Sequence, residues 1–186
     1  MQYHLLSRGI NNSMKIILFD LGDTLEHNDV LLPGATETLS EIETIKDDQN
    51  QPVVLALISD FRHANNQNDQ NEIKAIRQEY YEIVDNLGIR SFFRPEDVRI
   101  TLSTDIGINK AEKEIFMYAI DKVSKGLSFN DVIFITEKKI HVDAVREFSP
   151  VPMNAIHFKG PGQNEGEVEN LIELVPKIKE MVQSIQ

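Results

Sequence analysis

The sequence predicts an α/β fold built on a mainly parallel sheet, and three observations predict it. Short apolar runs of strand length recur at 15–19 (apolar after Lys15), 53–58 and 132–135, of the kind buried on both faces of a parallel sheet, and a further strand reads at 154–158. Between them lie stretches whose apolar residues repeat at helical spacing, an alternation that implies parallel strands joined by crossover helices. Three of the runs also stop abruptly at polar residues: Asp20, Gly22, Asp23 and Thr24 after the first, Ser59 and Asp60 after the second, Thr136 and Glu137 after the third. In open α/β sheets the carboxyl edge of the strands is where ligands bind.

In chain order, residues 1–13 read as an N-terminal extension, with Asn11-Asn12-Ser13 just ahead of Met14, and 14–186 as a single domain. Residues 26–32 read as a loop, punctuated by Pro33-Gly34. A surface helix follows at 35–46, with Leu39, Ile42 and Ile45 at helical spacing. The Asn/Gln-biased stretch 64–71 reads as an exposed loop. From 72 to 87 the residues Ile73, Ile76, Tyr80, Ile83, Val84 and Leu87 fall on one helical face, and Gly88 supplies the stop. Residues 91–93 form a short connection and 98–101 a strand. A helix at 111–124 turns Ile115, Phe116, Ala119, Ile120 and Val123 inward. The pattern closes with a helix at 140–148 and a helical tail at about 165–185, which Pro176 breaks in two.

Composition narrows the class. At 186 residues the chain is long enough for one full core. Its 19 basic and 30 acidic residues give a net charge of −11, which argues against nucleic-acid and anionic-membrane partners. With no cysteine there is no disulfide framework, thiolate zinc site or cysteine nucleophile. No apolar run approaches the roughly 18 residues of a membrane span, and the N-terminus lacks a signal-like apolar core. The expectation is a cytoplasmic, acidic enzyme.

The segment Phe19-Asp20-Leu21-Gly22-Asp23-Thr24-Leu25 resembles the first motif of the haloacid dehalogenase-like (HAD) hydrolases, whose commonest form is FDxDGTL. That resemblance implies a Rossmann-like three-layer α/β/α sandwich. It also implies a nucleophile at Asp20, which forms an aspartyl-phosphate with Mg²⁺ beside it, and a supporting threonine at Thr24. The family's acid/base position holds Gly22. Asp23 comes one place later, and because side chains alternate direction along extended backbone, it does not stand in for the missing acid. Only about 40 residues separate the first two strand-end clusters. One helix and its loops use them up, so the resemblance points to a capless or nearly capless member with an open site.

Three further positions fit the same family order. Ser59 matches the strand-end hydroxyl of the second motif, which meets a phosphoryl oxygen; a serine there is equally a turn or capping residue. Lys110, in Gly107-Ile108-Asn109-Lys110-Ala111, matches the third-motif lysine, with Ile115-Phe116 at the family's offset and Ala111 in place of its proline. A compact ammonium there offsets the crowding of carboxylate and phosphate. Ile133-Phe134-Ile135-Thr136-Glu137 takes the place of the fourth motif, with Thr136 for glycine, Glu137 for the first acid and His141 for the second. The metal positions are thus Asp20, Gly22 and Glu137, and the ion Mg²⁺, which seeks oxygen ligands. His141, a poor magnesium ligand, reads as an exposed first-turn helix residue, and His157 as packed. His4 belongs to no pattern, whereas His27 and His63, in loops after the first two motifs, are candidates for the missing proton donor. The Gly160-Pro161-Gly162 segment reads as a turn.

Two functional readings stand. One is a Mg²⁺-dependent phosphatase acting through Asp20 on a phosphorylated small molecule or macromolecule, its open site free or closed by a neighbouring subunit. The other is a catalytically impaired HAD-like domain that binds a phosphorylated ligand or a protein. A receiver-like phosphoacceptor ranks below both, because receivers carry that residue on the third strand.

Overall fold

Strand β1 (Ile16–Phe19) is the centre of the molecule. The computed structural model describes residues 14–184; the expected extension over 1–13, with His4, and the last two residues lie outside them. After β1 come a small hairpin, β2 (Glu26–His27) and β3 (Val30–Leu31), then α1 (Ala35–Glu43), β4 (Val54–Ser59) and α2 (Gln70–Asn86). The next elements are α3 (Glu96–Arg99), β5 (Ile100–Leu102), α4 (Ser103–Ile106) and α5 (Lys113–Val123). The chain continues through β6 (Val132–Thr136), α6 (Lys139–Arg146), β7 (Asn154–His157) and α7 (Leu174–Ser184). Single turns of 3₁₀ helix at Arg90–Phe93, Phe129–Asp131 and Leu171–Glu173 complete the order.

The five-stranded sheet has the order β5-β4-β1-β6-β7, and every neighbouring pair is parallel. The strands feed two cores by alternation. Ile17, Phe19, Leu55, Leu57, Ile133 and Ile135 point to one face, where residues of α1, α2 and α7 cover them. Ile16, Leu18, Ala56, Ile58, Val132 and Phe134 point to the other, against α5 and α6. Burial on both faces explains why these strands are apolar throughout, and each such side chain contributes roughly 1.5–3 kcal/mol of transfer free energy. The result is a Rossmann-like three-layer α/β/α sandwich, as the sequence predicts. At the amino edge of the sheet Lys15, just before β1, pairs with Asp131, just before β6, at 2.6 Å. No helix among the described residues is long and apolar enough to cross a membrane.

Local structure departs from expectation in four places. Residues 26–32 are not a plain loop: His27 pairs with Val30 across Asn28 and Asp29, both at positive φ (53° and 62°), the backbone of a two-residue type I′ hairpin turn. The strand expected at 98–101 starts only at Ile100, because Pro95 followed by Glu96 and Asp97 opens a helical turn whose first-turn acids suit the helix dipole. The helix expected from 111 begins at Lys113. The tail is non-helical before Leu171, and Pro176 does not divide α7 but sits in its first turn, where its missing N–H has no intrahelical partner to lose.

Candidate active site

Chain connections leave β1 for β4 on one side and reach β6 on the other, so the carboxyl ends of β1 and β6 flank the switch point at which such folds bind ligands. Register brings the polar residues level there. Phe19 is opposite Leu57 and Ile135; Asp20 and Thr136 are the next residues, and Ser59 is two beyond Leu57. Lys110 arrives from the turn between α4 and α5. Gly107 closes α4 in left-handed backbone (φ 72°), and the Lys110 main-chain N–H donates to Asp60 Oδ1 at 2.9 Å.

At the centre the Lys110 ammonium is in direct ion-pair contact with Asp20 Oδ2. Asp20 is 3% exposed and Lys110 1%. Asp20 Oδ1 accepts the Leu21 N–H at 2.9 Å. The Thr136 hydroxyl lies 3.0 Å from Asp20 Oδ2 and 3.2 Å from Glu137 Oε2. Having one proton, it donates to one carboxylate at a time. Thr24 ties the β1 loop to the end of β6: its hydroxyl donates to Glu137 Oε2 at 2.8 Å and accepts the Glu137 N–H at 3.1 Å. Burial, then the negative charge of Asp20, holds the Glu137 carboxyl above its ordinary value. Burial, then Lys110, pushes the His141 imidazole down, with Asp20 and Asp60 opposing.

Asp20, Thr24, Lys110 and Glu137 therefore come together in one buried network. Ser59 ends β4 and is buried, but among the described residues it makes no hydrogen bond to that network. Beside it lies the fully buried Tyr80 phenol, raised well above its ordinary range by burial, with the charges of Asp20 and Glu26 adding to the effect and the Ser59 hydroxyl opposing it. Gly22 brings only main chain. Asp23, in left-handed backbone (φ 55°), turns to the rim, where its carboxylate meets His27 Nδ1 at 2.5 Å. His63 Nε2 meets Asn109 Oδ1 at 2.7 Å. His157 is packed, as expected, with Nε2 3.0 Å from the Glu137 main-chain oxygen.

His141 corrects the sequence reading. It is 8% exposed rather than solvated, and its Nδ1 is buried without a hydrogen-bond partner, because the first turn of α6 faces the strand ends. The network also contains two groups that sequence reasoning did not assign. Asp60 fixes the Lys110 loop, and Thr136 links the two acids. Thr136 carried a usable signal, since a hydroxyl at a strand end is the feature that singled out Ser59.

Mg²⁺ is commonly held by one or two carboxylates, the remaining oxygens coming from water and phosphate. Asp20 and Glu137 provide two carboxylates joined through one hydroxyl, and Glu137 Oε1 has no hydrogen-bond partner among the described residues. No group of three or more His, Asp or Glu suited to a metal occurs among the described residues. A hard ion at this edge would have Asp20 and Glu137 as its protein carboxylates and would take its other oxygens from outside the protein.

The fold and site define a Rossmann-like α/β protein with a buried carboxylate–lysine centre at its switch point. No family model matches the chain, and no curated protein does. Among solved structures, an uncharacterized protein from Corynebacterium glutamicum ATCC 13032 Kitasato, determined at 1.44 Å, is similar over 91% of this chain and 95% of its own. The TM-score is 0.54 at 14% identity, a likeness of fold.

Proposed function

We propose that the protein is a HAD-like phosphatase that acts through an aspartyl-phosphate on Asp20. The observation that carries this reading is the buried ion pair between Asp20 and Lys110 at the carboxyl end of the central strand. Desolvating two charges costs more than apolar packing of the same volume, so the pair has no clear advantage as scaffolding. A phosphoryl site gives both groups work. Asp20 attacks phosphorus, and Lys110 offsets the negative charge that gathers on the equatorial oxygens. Thr136 bridges the two carboxylates, and Thr24 fixes the orientation of Glu137. A bound Mg²⁺ would neutralise phosphate charge as a Lewis acid.

Nothing larger than the β2–β3 hairpin and α1 separates β1 from β4. The reading therefore includes a capless enzyme for a phosphorylated small molecule or macromolecule, working in the cytoplasm. A second reading, binding of a phosphorylated ligand or partner without turnover, draws on Gly22, which has no side chain at the acid/base position, and on Asp23, which pairs with His27 instead.

Hydrolysis of 4-nitrophenyl phosphate with Mg²⁺, comparing wild type with Asp20→Asn, separates the two. Activity that vanishes in the variant and with chelator is the expected result. Equal rates in both folded proteins would leave the binding reading in place.

A further inference from the structure

Leu21 points into the core, so in extended backbone its neighbours, positions 20 and 22, share the opposite side. A side chain at 22 would thus rise beside Asp20, and the place it would fill is not vacant. A Cβ built on Gly22 would lie 3.6 Å from Glu26 Oε1. Glu26 reaches that spot by a tight turn in which the main-chain N–H groups of Thr24, Leu25 and Glu26 all point to Leu21 O, at 2.8–3.2 Å, and a backbone bridge joins Gly22 to Glu26. Its other oxygen, Oε2, is anchored by the Asp29 N–H at 3.0 Å. That anchor depends on the left-handed backbone of Asn28 and Asp29. One oxygen is fixed by the hairpin, and the other faces position 22.

We propose that Glu26 is the proton-transfer residue of this site, delivering from the hairpin the carboxyl that position 22 lacks. The inference rests on the phosphatase reading. In the first step an Asp20 oxygen bonds to phosphorus and the bond from phosphorus to the ester oxygen breaks. The leaving oxygen keeps the electron pair and takes the proton from the Glu26 carboxyl. In the second step the Glu26 carboxylate takes a proton from water as the water oxygen bonds to phosphorus. The bond from phosphorus to Asp20 breaks, which regenerates the Asp20 carboxylate and releases phosphate.

The test compares kcat/KM, which reads the attack on phosphorus, for 4-nitrophenyl phosphate and phenyl phosphate. The proteins are wild type, Glu26→Gln, the double variant Glu26→Gln with Gly22→Asp, and Asp20→Asn. Glutamine keeps an oxygen for the Asp29 N–H, so the hairpin is retained. Gly22 is not in left-handed backbone and a Cβ there makes only an ordinary van der Waals contact, so a side chain at 22 meets no backbone strain. The expected loss in Glu26→Gln grows with leaving-group basicity: about 100-fold or more for phenyl phosphate, and less than about 10-fold for the nitrophenyl ester. Restoring a carboxyl at position 22 recovers at least about tenfold of the phenyl ester activity. Equal losses on both esters, or no loss, would overturn the role of Glu26 while Asp20-dependent hydrolysis by the wild type kept the phosphatase reading. Wild type inert toward both esters would overturn the two together.

Discussion

Asp60 Oδ1 accepts the main-chain N–H of Lys110 at 2.9 Å, so the residue that follows β4 sets the position of the loop carrying the site's cation. The contact spans 50 residues of sequence. A charged acceptor on a backbone N–H is worth about 1.5–3 kcal/mol. Asp60→Ala should release the Lys110 turn and, on the phosphatase reading, lower kcat/KM for an activated phosphate ester about tenfold, because that mechanism depends on placement of the ammonium. Asp60→Asn keeps an oxygen acceptor and should recover most of the loss. A similar drop in both variants would show that Asp60 acts through its charge.

Lys110 and Asp20 should be thermodynamically coupled. Removing one member of a buried pair strands the other and costs about 3–5 kcal/mol. Lys110→Met and Asp20→Asn should each lower the urea midpoint strongly. The double variant should be more stable than their summed losses imply, with a coupling energy of about 1 kcal/mol or more. Strict additivity would mean that the contact contributes nothing to the folded state.

The Glu137 carboxyl makes stability depend on pH in a defined direction. Its folded value lies above the ordinary 4.5, so the native state holds more protons than the unfolded chain between 4.5 and that raised value, and stability falls as pH rises through this window. Glu137→Gln removes the titration. In metal-free buffer the wild type should lose stability relative to this variant as pH is raised from 4.5, as read by urea unfolding at several pH values. A flat difference would argue that Thr24 and Thr136 stabilise the carboxylate fully.

The proposed magnesium site has a readout independent of turnover. A ligand that binds only the native state stabilises it by RT ln(1 + [L]/Kd). Because phosphate would complete the coordination, Mg²⁺ with inorganic phosphate should raise the melting temperature more than either alone, and Glu137→Gln should abolish the synergy. Equal shifts in the two proteins would exclude Glu137 as a ligand.

The sheet was legible from the sequence because its central strands are buried on both faces and therefore largely apolar; β1, β4 and β6 begin and end within a residue of where the apolar runs do. The hairpin was not, because two-residue strands carry no periodicity and only Asn28-Asp29 marks the turn. At the site, Asp20, Thr24 and Glu137 lie next to strand ends and can be read from them, whereas Lys110 is marked only by its motif. The roles of Asp60 and Thr136 depend on tertiary register, since nothing local says which distant N–H or carboxylate each will meet. His141 was misplaced for a related reason: whether a first helical turn faces solvent depends on the crossing of α6 over the sheet.

The Lys15–Asp131 pair and the Asp20–Lys110 pair sit at opposite ends of the same central strand. Four residues of β1, about 13 Å at roughly 3.3 Å per residue, lie between them. One edge of the sheet carries a pair remote from the site, and the other carries the pair on which the proposed chemistry depends. The strand is thus gripped by an ion pair at each end, and a substitution that strands either partner is felt by the same four residues.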